Sequence, residues 1–435
     1  MNKIKSSISH LFHDGFFHIV GAGTINKIIS MCSGIIIVRV MSQQDYGTYS
    51  YIINTVNMLL IANGLGTLTG VIQYGCEYRS DIDTQKSIIQ YGIRLGFIFN
   101  CICGIVVMAY GVFFRQSIAN TTHLFIIASF IPAMTYLTDS CADILRVWEC
   151  NREYGFYSVF NSCLVFASIL IGAITFSVEG ALAFRYIAIF LLLLLVVVRF
   201  PVVTNVMKGK TIKLSSSIKN GFLKFSLISC ANNSIARLFY NVDLYLIGIL
   251  IADVNTIAAY KVAMTIPFAL TFITASIVTY IYPKFVAHKE DRVWLKSNYI
   301  KLLAFLSLIN GVITVGFIVF AKYVIGFVFG ASYLDSAMPS YIILMIGFFI
   351  SSTFRIPAGN ILDMLHLVMP NFVISIISGI ANIVVDFILI KNMGDIGAAI
   401  ATTSIYLLYG LLSNIVIIIY IKNDSLLKIK KNREK

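Results

Sequence analysis

Long apolar runs separated by short polar or charged turns recur along almost the whole chain. Charged residues and Gly, Pro, Asn and Asp turn signals bound these runs. Each run is long enough to cross a bilayer core, which requires about 20 apolar residues in a helix. We place twelve spans near residues 16–40, 46–75, 87–112, 121–146, 154–176, 179–200, 221–251, 255–283, 298–321, 337–362, 368–391 and 396–421. The pattern predicts an all-α polytopic membrane protein with about twelve transmembrane helices.

Composition and the distribution of charge support this interpretation. Hydrophobic residues make up 58% of the 435 residues and charged residues only 12%, which lies outside the range of soluble domains. The net charge of +13 would suit nucleic acid binding, but the basic residues are sorted by side. Twenty-three fall on the side of the termini, and only Arg39, Arg115, Lys322 and Lys391 fall in the opposite loops. The positive-inside rule therefore predicts cytoplasmic termini and explains the charge without nucleic acid.

Short matches relate the two halves of the chain. Tyr49 and Tyr260 are 211 positions apart, whereas Ile144-Leu145 matches Ile361-Leu362, and Gly180-Ala181 matches Gly397-Ala398, at 217 positions. Such matches favour two pseudo-symmetric six-helix bundles. The predicted organisation is an N-terminal lobe at 1–203, a basic cytoplasmic linker at 204–220, a C-terminal lobe at 221–421 and a basic cytoplasmic tail at 422–435.

The turn after the first span resembles that of a known family. The segment from Arg39 to Tyr49, RVMSQQDYGTY, is similar to the R-x-L-S-x-x-D-Y-G-x-Y turn of bacterial polysaccharide transporters, with Met41 in place of Leu. These are the Wzx-type flippases of the multidrug/oligosaccharidyl-lipid/polysaccharide export superfamily. Gly397 to Thr402 resembles the start of the family's twelfth helix. The resemblance implies two lobes around a central cavity, alternating access, and an undecaprenyl-pyrophosphate-linked sugar repeat unit as cargo in a bacterial inner membrane.

Basic residues inside the predicted spans are the first candidates for cargo binding. Lys27 lies near the middle of the first span, and Arg237 lies 210 positions further on, almost at the equivalent position of the second half. Arg94 and Arg355 also fall inside spans. Intramembrane charges usually face a bundle interior or an aqueous cavity, and guanidinium groups suit phosphate oxygens. The alternative for Lys27 is a structural pairing with a carboxylate from a neighbouring helix.

Polar residues around Arg237 extend this candidate site. Asn233, Arg237 and Asn241 are spaced four residues apart and share one helix face, with Tyr240 alongside. Amide and phenol groups suit sugar hydroxyls. Asp243 lies on another face, where it serves either as a structural counter-ion or as a protonation site.

Acidic residues inside the spans are candidates for coupling or for an ion pair. Asp139 and Asp143 lie at a depth comparable to that of Arg355, so an inter-lobe ion pair that breaks on opening is one hypothesis. The alternative is a local pair between Asp143 and Arg146. Asp386, like Asp243, is a candidate for coupling transport to a proton or sodium ion.

Four further residues have weaker assignments. Arg185 and Lys261 lie within about two helical turns of the outer interface, where a long side chain can snorkel to water. Asn54 and Asn57 form a polar face that either packs against another helix or lines a cavity.

The sequence favours a flippase over an enzyme. Among the six histidines and eight cysteines we find no metalloprotease or metal-ligand spacing, so no metal, cofactor or catalytic residue is expected. A cation-coupled multidrug exporter of the same fold is the alternative, and an integral membrane polymerase or ligase is a weaker one. Polymerase and chain-length proteins of the same pathway are the expected partners.

Overall fold

The computed structural model describes residues 16–114, 118, 120–209 and 211–422, and these residues form helices and connecting turns without a β-strand. The all-α prediction is confirmed. The helices are α1 Phe16–Val40, α2 Gln43–Leu59, α3 Thr67–Glu77, α4 Ile82–Phe113, α5 Thr122–Ala128, α6 Ile131–Val147, α7 Asn151–Arg199, α8 Pro201–Lys208, α9 Ser216–Leu250, α10 Val254–Ala287, α11 Arg292–Val319, α12 Ala321–Val324, α13 Leu334–Ile350, α14 Ile356–Met364 and α15 Val368–Lys422.

The described helices cover the regions of the twelve predicted spans. Eight are long and apolar enough to cross a membrane, and a ninth span results if the bent pair α2 and α3 is counted as one. Two of the eight, α7 with 49 residues and α15 with 55, are far longer than a bilayer requires. Each contains a break that divides it into two spans, and the 35-residue α9 corresponds to the predicted span 221–251.

The first long helix, α7, is a hairpin. At Ser177 the backbone leaves the helical region, with φ 51° and ψ −128°. The rings of Tyr157 and Phe200 then meet at 5.7 Å, whereas 43 residues of straight helix would separate them by about 65 Å. The two arms touch so closely that a Cβ on Gly172 would overlap the carbonyl of Gly180.

The second long helix, α15, repeats this hairpin 217 positions later. Gly394 has φ 64° and ψ −138°, close to the values of its counterpart Ser177. The hydroxyl of Tyr409 donates a hydrogen bond of 2.7 Å to Oδ1 of Asn371 on the other arm. A Cβ on Gly397 would overlap the carbonyl of Leu389. The sequence repeat is therefore also a repeat of backbone conformation.

Helix ends confirm the same offsets. Ser42 caps α2, and Asp253, 211 positions later, caps α10. Asp81 caps α4, and hydrogen bonds from the side chain and backbone of Thr84 hold the pKa of the Asp81 carboxyl below its ordinary value. The rare left-handed conformation at Glu149, with φ 55°, recurs at His366, with φ 59°, again 217 positions later.

The chain divides into two compact units, Met1–Asn241 and Val242–Lys435. In the first unit, buried apolar side chains of α3, α4, α6 and α7 form one core, in which Val71, Ile88 and Ile144 are fully buried. In the second, α10, α11, α14 and α15 form another around Leu306 and Leu362. The predicted lobe limits and linker at 204–220 stay a prediction, and apart from Lys422 the predicted tail 422–435 lies outside the described residues.

The hairpin contacts generate a stability prediction. We expect Gly180→Ala and Gly397→Ala each to lower the melting temperature of the purified protein in detergent. The added Cβ overlaps a backbone carbonyl of the opposite arm, and overpacking of this kind costs about 1–3 kcal/mol.

Gly316→Ala in α11 is the matched control, because a Cβ there meets no atom within 4 Å and alanine favours the helix. Identical melting temperatures for the three variants would contradict the hairpin packing.

Candidate functional site

Three predicted cargo-binding cations have exposed side chains on helices that the sequence predicts to span the membrane. Lys27 lies near the middle of α1, Arg94 lies in α4 and Arg237 lies in α9, and each is exposed. A charged group facing lipid is costly, so exposed cations at these depths suit water-filled space. Their role in cargo binding stays a prediction.

Arg237 lines a cavity of about 340 Å³ within the first unit, which we call the Arg237 cavity. Asn241, Asp139 and Arg185 also line it, together with Asn57 from α2. The guanidinium of Arg237 is close enough to attract the Asp139 carboxylate. The cavity thus combines two cations, one carboxylate and several amides, a set able to bind an anionic, hydroxyl-rich ligand.

A break in the second span forms part of the wall of this cavity. Helices α2 and α3 meet at a 47° bend, and Asn63 at the bend lines the cavity. Asn100 of α4 stabilises the bend, because its Oδ1 accepts from the backbone N–H of Gly64 at 2.8 Å and its Nδ2 donates to Oδ1 of Asn63 at 2.7 Å. Discontinuous helices of this kind commonly border transport sites.

The predicted polar face around Arg237 is brought together only in part. The side-chain amide of Asn241 donates to the carbonyl of Arg237 at 2.8 Å, and Asn54 donates to the carbonyl of Asn241 at 2.9 Å. Asn54 therefore packs against α9 and holds its backbone. Asn233 is exposed, and the side chain of Tyr240 lies outside the described residues.

Asp143 and Arg355 each have local partners. Asp143 forms an ion pair with Arg146, one helical turn later, at 3.4 Å. This is the local pair that the sequence analysis gave as the alternative. Arg355 ends a π-helical turn at Ser351–Arg355, donates to Oγ of Ser351 at 3.0 Å, and lies over the ring of Tyr406 at 4.5 Å. The hypothesis of an ion pair between Arg355 and the acidic residues of α6 stays a prediction.

Asp243 and Asp386 form the most deeply buried charged cluster among the described residues, with exposed fractions of 3% and 0%. The hydroxyl of Tyr260 donates to Asp243 at 2.6 Å, and the hydroxyl of Thr402 donates to the same oxygen. The amide of Asn382 donates to Asp386 at 2.6 Å. We call these five residues the acidic cluster.

The two carboxyl groups of the acidic cluster are close enough to interact electrostatically. Two negative charges at this separation repel strongly in a low-dielectric interior. Oδ1 of each carboxyl is buried and has no hydrogen-bond partner within the described part of the chain. The arrangement suits a shared proton or a small cation held between oxygen ligands.

Arg185 lines two cavities to which the sequence analysis did not assign it. Snorkelling of Arg185 stays a prediction, and in the structure Arg185 lines the Arg237 cavity and also a second cavity of about 310 Å³ between α1, α6 and α7. We call the second one the Ser33 cavity. The sequence repeat indicates the importance of this position, since Arg185 and Thr402 of the acidic cluster are 217 positions apart.

Comparison with solved structures supports the transporter fold. An inward-facing multidrug resistance MATE family transporter of the MOP superfamily superposes with a TM-score of 0.70 at 13% identity, over 92% of this chain and 96% of that one. The lipid II flippase MurJ, in an inward closed conformation, gives 0.70 at 15% identity, over 92% and 87%. A MOP superfamily transporter from Pyrococcus furiosus, described as having a binding pocket of reverse polarity, gives 0.54 at 13%, over 94% and 95%.

Sequence comparison identifies the family. No curated protein sequence matches the chain. The profile of a family described as polysaccharide biosynthesis protein matches residues 36–338, which is more than half of the chain. With its multiple apolar helices and its transporter fold, the chain is a multi-pass membrane protein, and it belongs to the polysaccharide biosynthesis protein family.

Proposed function

We propose that this protein is a flippase for a lipid-linked oligosaccharide. It moves an undecaprenyl-pyrophosphate-linked repeat unit from the cytoplasmic to the periplasmic leaflet of a bacterial inner membrane by alternating access. The product supplies surface polysaccharide, either O-antigen or capsule. The proposal is supported by membership of the polysaccharide biosynthesis protein family. It is also supported by three exposed cations on predicted spans, Lys27, Arg94 and Arg237.

The chemistry of the cargo fits these side chains. A pyrophosphate carries its negative charge into the membrane, and basic groups there offset its loss of hydration. Guanidinium forks at Arg237 and Arg94 form paired hydrogen bonds with phosphate oxygens. The amides that line the Arg237 cavity suit sugar hydroxyls, and the polyprenyl tail stays in lipid.

The direction of transport follows from the membrane potential. An inside-negative potential favours outward movement of an anion by about 2.3 kcal/mol per charge per 100 mV. Two pyrophosphate charges that cross the whole field gain about 4–5 kcal/mol at this voltage. The acidic cluster provides a second source of free energy, because a proton or sodium ion bound there couples its own gradient to the conformational cycle.

A cation-coupled exporter of small molecules is the second candidate. The fold is shared with a multidrug resistance transporter, and the acidic cluster suits cation coupling equally well. Cargo charge separates the two candidates, since exporters of cationic drugs require acidic residues facing the cargo. Unchanged drug resistance in a deletion strain that loses surface polysaccharide would favour the flippase. Intermediates trapped on the outer leaflet would instead indicate a polymerase or ligase, the proteins that act next on a flipped product.

Removing two of the cations tests cargo binding. We expect Lys27→Ala combined with Arg237→Ala to slow flipping about a hundredfold, because charge-assisted hydrogen bonds contribute about 1.5–3 kcal/mol each and 1.4 kcal/mol is a factor of ten. The measurement is the amount of undecaprenyl-pyrophosphate-linked oligosaccharide on each leaflet, together with surface polysaccharide.

Arg199→Ala combined with Lys322→Ala is the control, because it removes the same charge from exposed positions at the ends of spans. Normal surface polysaccharide in the first double variant, at normal protein levels, would refute the assignment of these cations.

Neutralising one carboxyl tests coupling. We expect Asp386→Asn to abolish the dependence of transport on the coupling cation, because one buried charge no longer requires compensation. In purified protein, the variant should also lose the rise in melting temperature that the wild type shows with sodium in place of N-methylglucamine, or at lower pH if the cation is a proton.

Asp335→Asn serves as the matched control, since Asp335 is exposed. If Asp386→Asn kept the cation dependence of the wild type in both assays, the acidic cluster would not be the coupling site.

A further inference from the structure

The Ser33 cavity lies inside the first unit and has no role in the proposed transport of cargo. Its wall is formed by α1, α6 and the two arms of α7, and its polar lining includes Ser30, Asn161, Ser162 and Arg185. The side chains of Ser30, Asn161 and Ser162 make no hydrogen bond within the described part of the chain. Three donors with unused capacity therefore line the same space as a guanidinium.

Within the described part of the chain, Arg185 forms no ion pair with a carboxylate. Its electrostatic neighbours are the phenol groups of Tyr49 and Tyr186, which are neutral. Nε of Arg185 is buried and has no hydrogen-bond partner there. Asp139, the acidic residue of the adjacent Arg237 cavity, is attracted by Arg237. A half-buried charge inside a membrane protein is costly unless water or an ion of opposite charge joins it.

The internal repeat relates this cavity to the acidic cluster. At the 217 offset, Arg185 corresponds to Thr402 and Ile169 to Asp386. At the 210 offset, which also separates the helix ends Val40 and Leu250, Ser33 corresponds to Asp243. Ser33, Ile169 and Arg185 all line the Ser33 cavity.

The tyrosine of the cluster is duplicated as well. Tyr49 and Tyr260 are 211 positions apart. Tyr49 interacts electrostatically with Arg185 in the first unit, and Tyr260 donates a hydrogen bond to Asp243 in the second. The scaffold thus repeats while the charge is inverted. The first unit has Ser33 and Ile169 where the second has Asp243 and Asp386. It has Arg185 where the second has Thr402.

We propose that the Ser33 cavity binds one small monovalent anion, of the chloride type, beside Arg185. A single guanidinium compensates a single negative charge, whereas a pyrophosphate would retain excess charge in a low-dielectric space. Neutral hydroxyl and amide donors complete the coordination of such an ion. The two units then carry ion sites of opposite sign at positions that the sequence repeat relates, and the small anion is distinct from the proposed cargo.

Anion exchange at constant sodium tests the site in the purified full-length protein without cargo. We expect chloride in place of gluconate to raise the melting temperature of the wild type by about 5 °C or more at saturation. Arg185→Gln should lose this shift, whereas Arg237→Gln, which removes a cation from the adjacent cavity only, should keep it. Crystals grown in sodium bromide should show an anomalous peak beside the Arg185 guanidinium.

A second variant keeps the test decisive if Arg185→Gln fails to fold. Ser33→Asp places a carboxylate in the same cavity, at the position that corresponds to Asp243, and should make the melting temperature independent of chloride. An unchanged chloride shift in Ser33→Asp or in folded Arg185→Gln, or a bromide peak that persists in Arg185→Gln, would overturn the proposal. So would a wild type that does not respond to chloride. The acidic cluster is unaffected by these outcomes, since sodium is constant throughout.

Discussion

The free-energy cost of a charge inside the membrane constrains this protein more than any other interaction. A basic or acidic side chain within a span must meet water, an opposite charge or a polar partner. Lys27, Arg94 and Arg237 have exposed side chains, and Arg355 lies over aromatic rings. Asp243 and Asp386 are buried together and accept hydrogen bonds from neighbouring polar side chains. These different solutions separate charges that suit a cargo pathway from charges that suit a small ion.

The repeated scaffold provides the positions at which those charges occur. Both hairpins turn at the same repeat position, and the arms approach through glycines because any side chain there would overlap a carbonyl. Backbone geometry is therefore constrained in both units, whereas side chains that face cavities are free to diverge. Arg185 and Thr402 occupy equivalent repeat positions and differ in this way, as do Ile169 and Asp386. A duplicated fold can in this way carry two sites with opposite charge preference.

One helix links the two kinds of chemistry proposed here. Arg237, which lines a polar cavity, and Asp243, which belongs to the acidic cluster, lie six residues apart on α9. Six residues of helix advance about 9 Å. Backbone hydrogen bonds that involve Asn54 and Asn241 hold the same segment in place.

The sequence alone determined the membrane class, the all-α fold and the repeat, because the hydrophobic length of a span is a local property of the chain. It also selected Asp243 and Asp386, since any mid-span carboxylate is unusual. Only the tertiary structure decided which charges share a site. Asp243 and Asp386 come from helices far apart in sequence, Asp143 pairs with Arg146 one turn away, and Arg185 lines two cavities. Helical periodicity gives the depth and face of a side chain, but its partners depend on how helices pack.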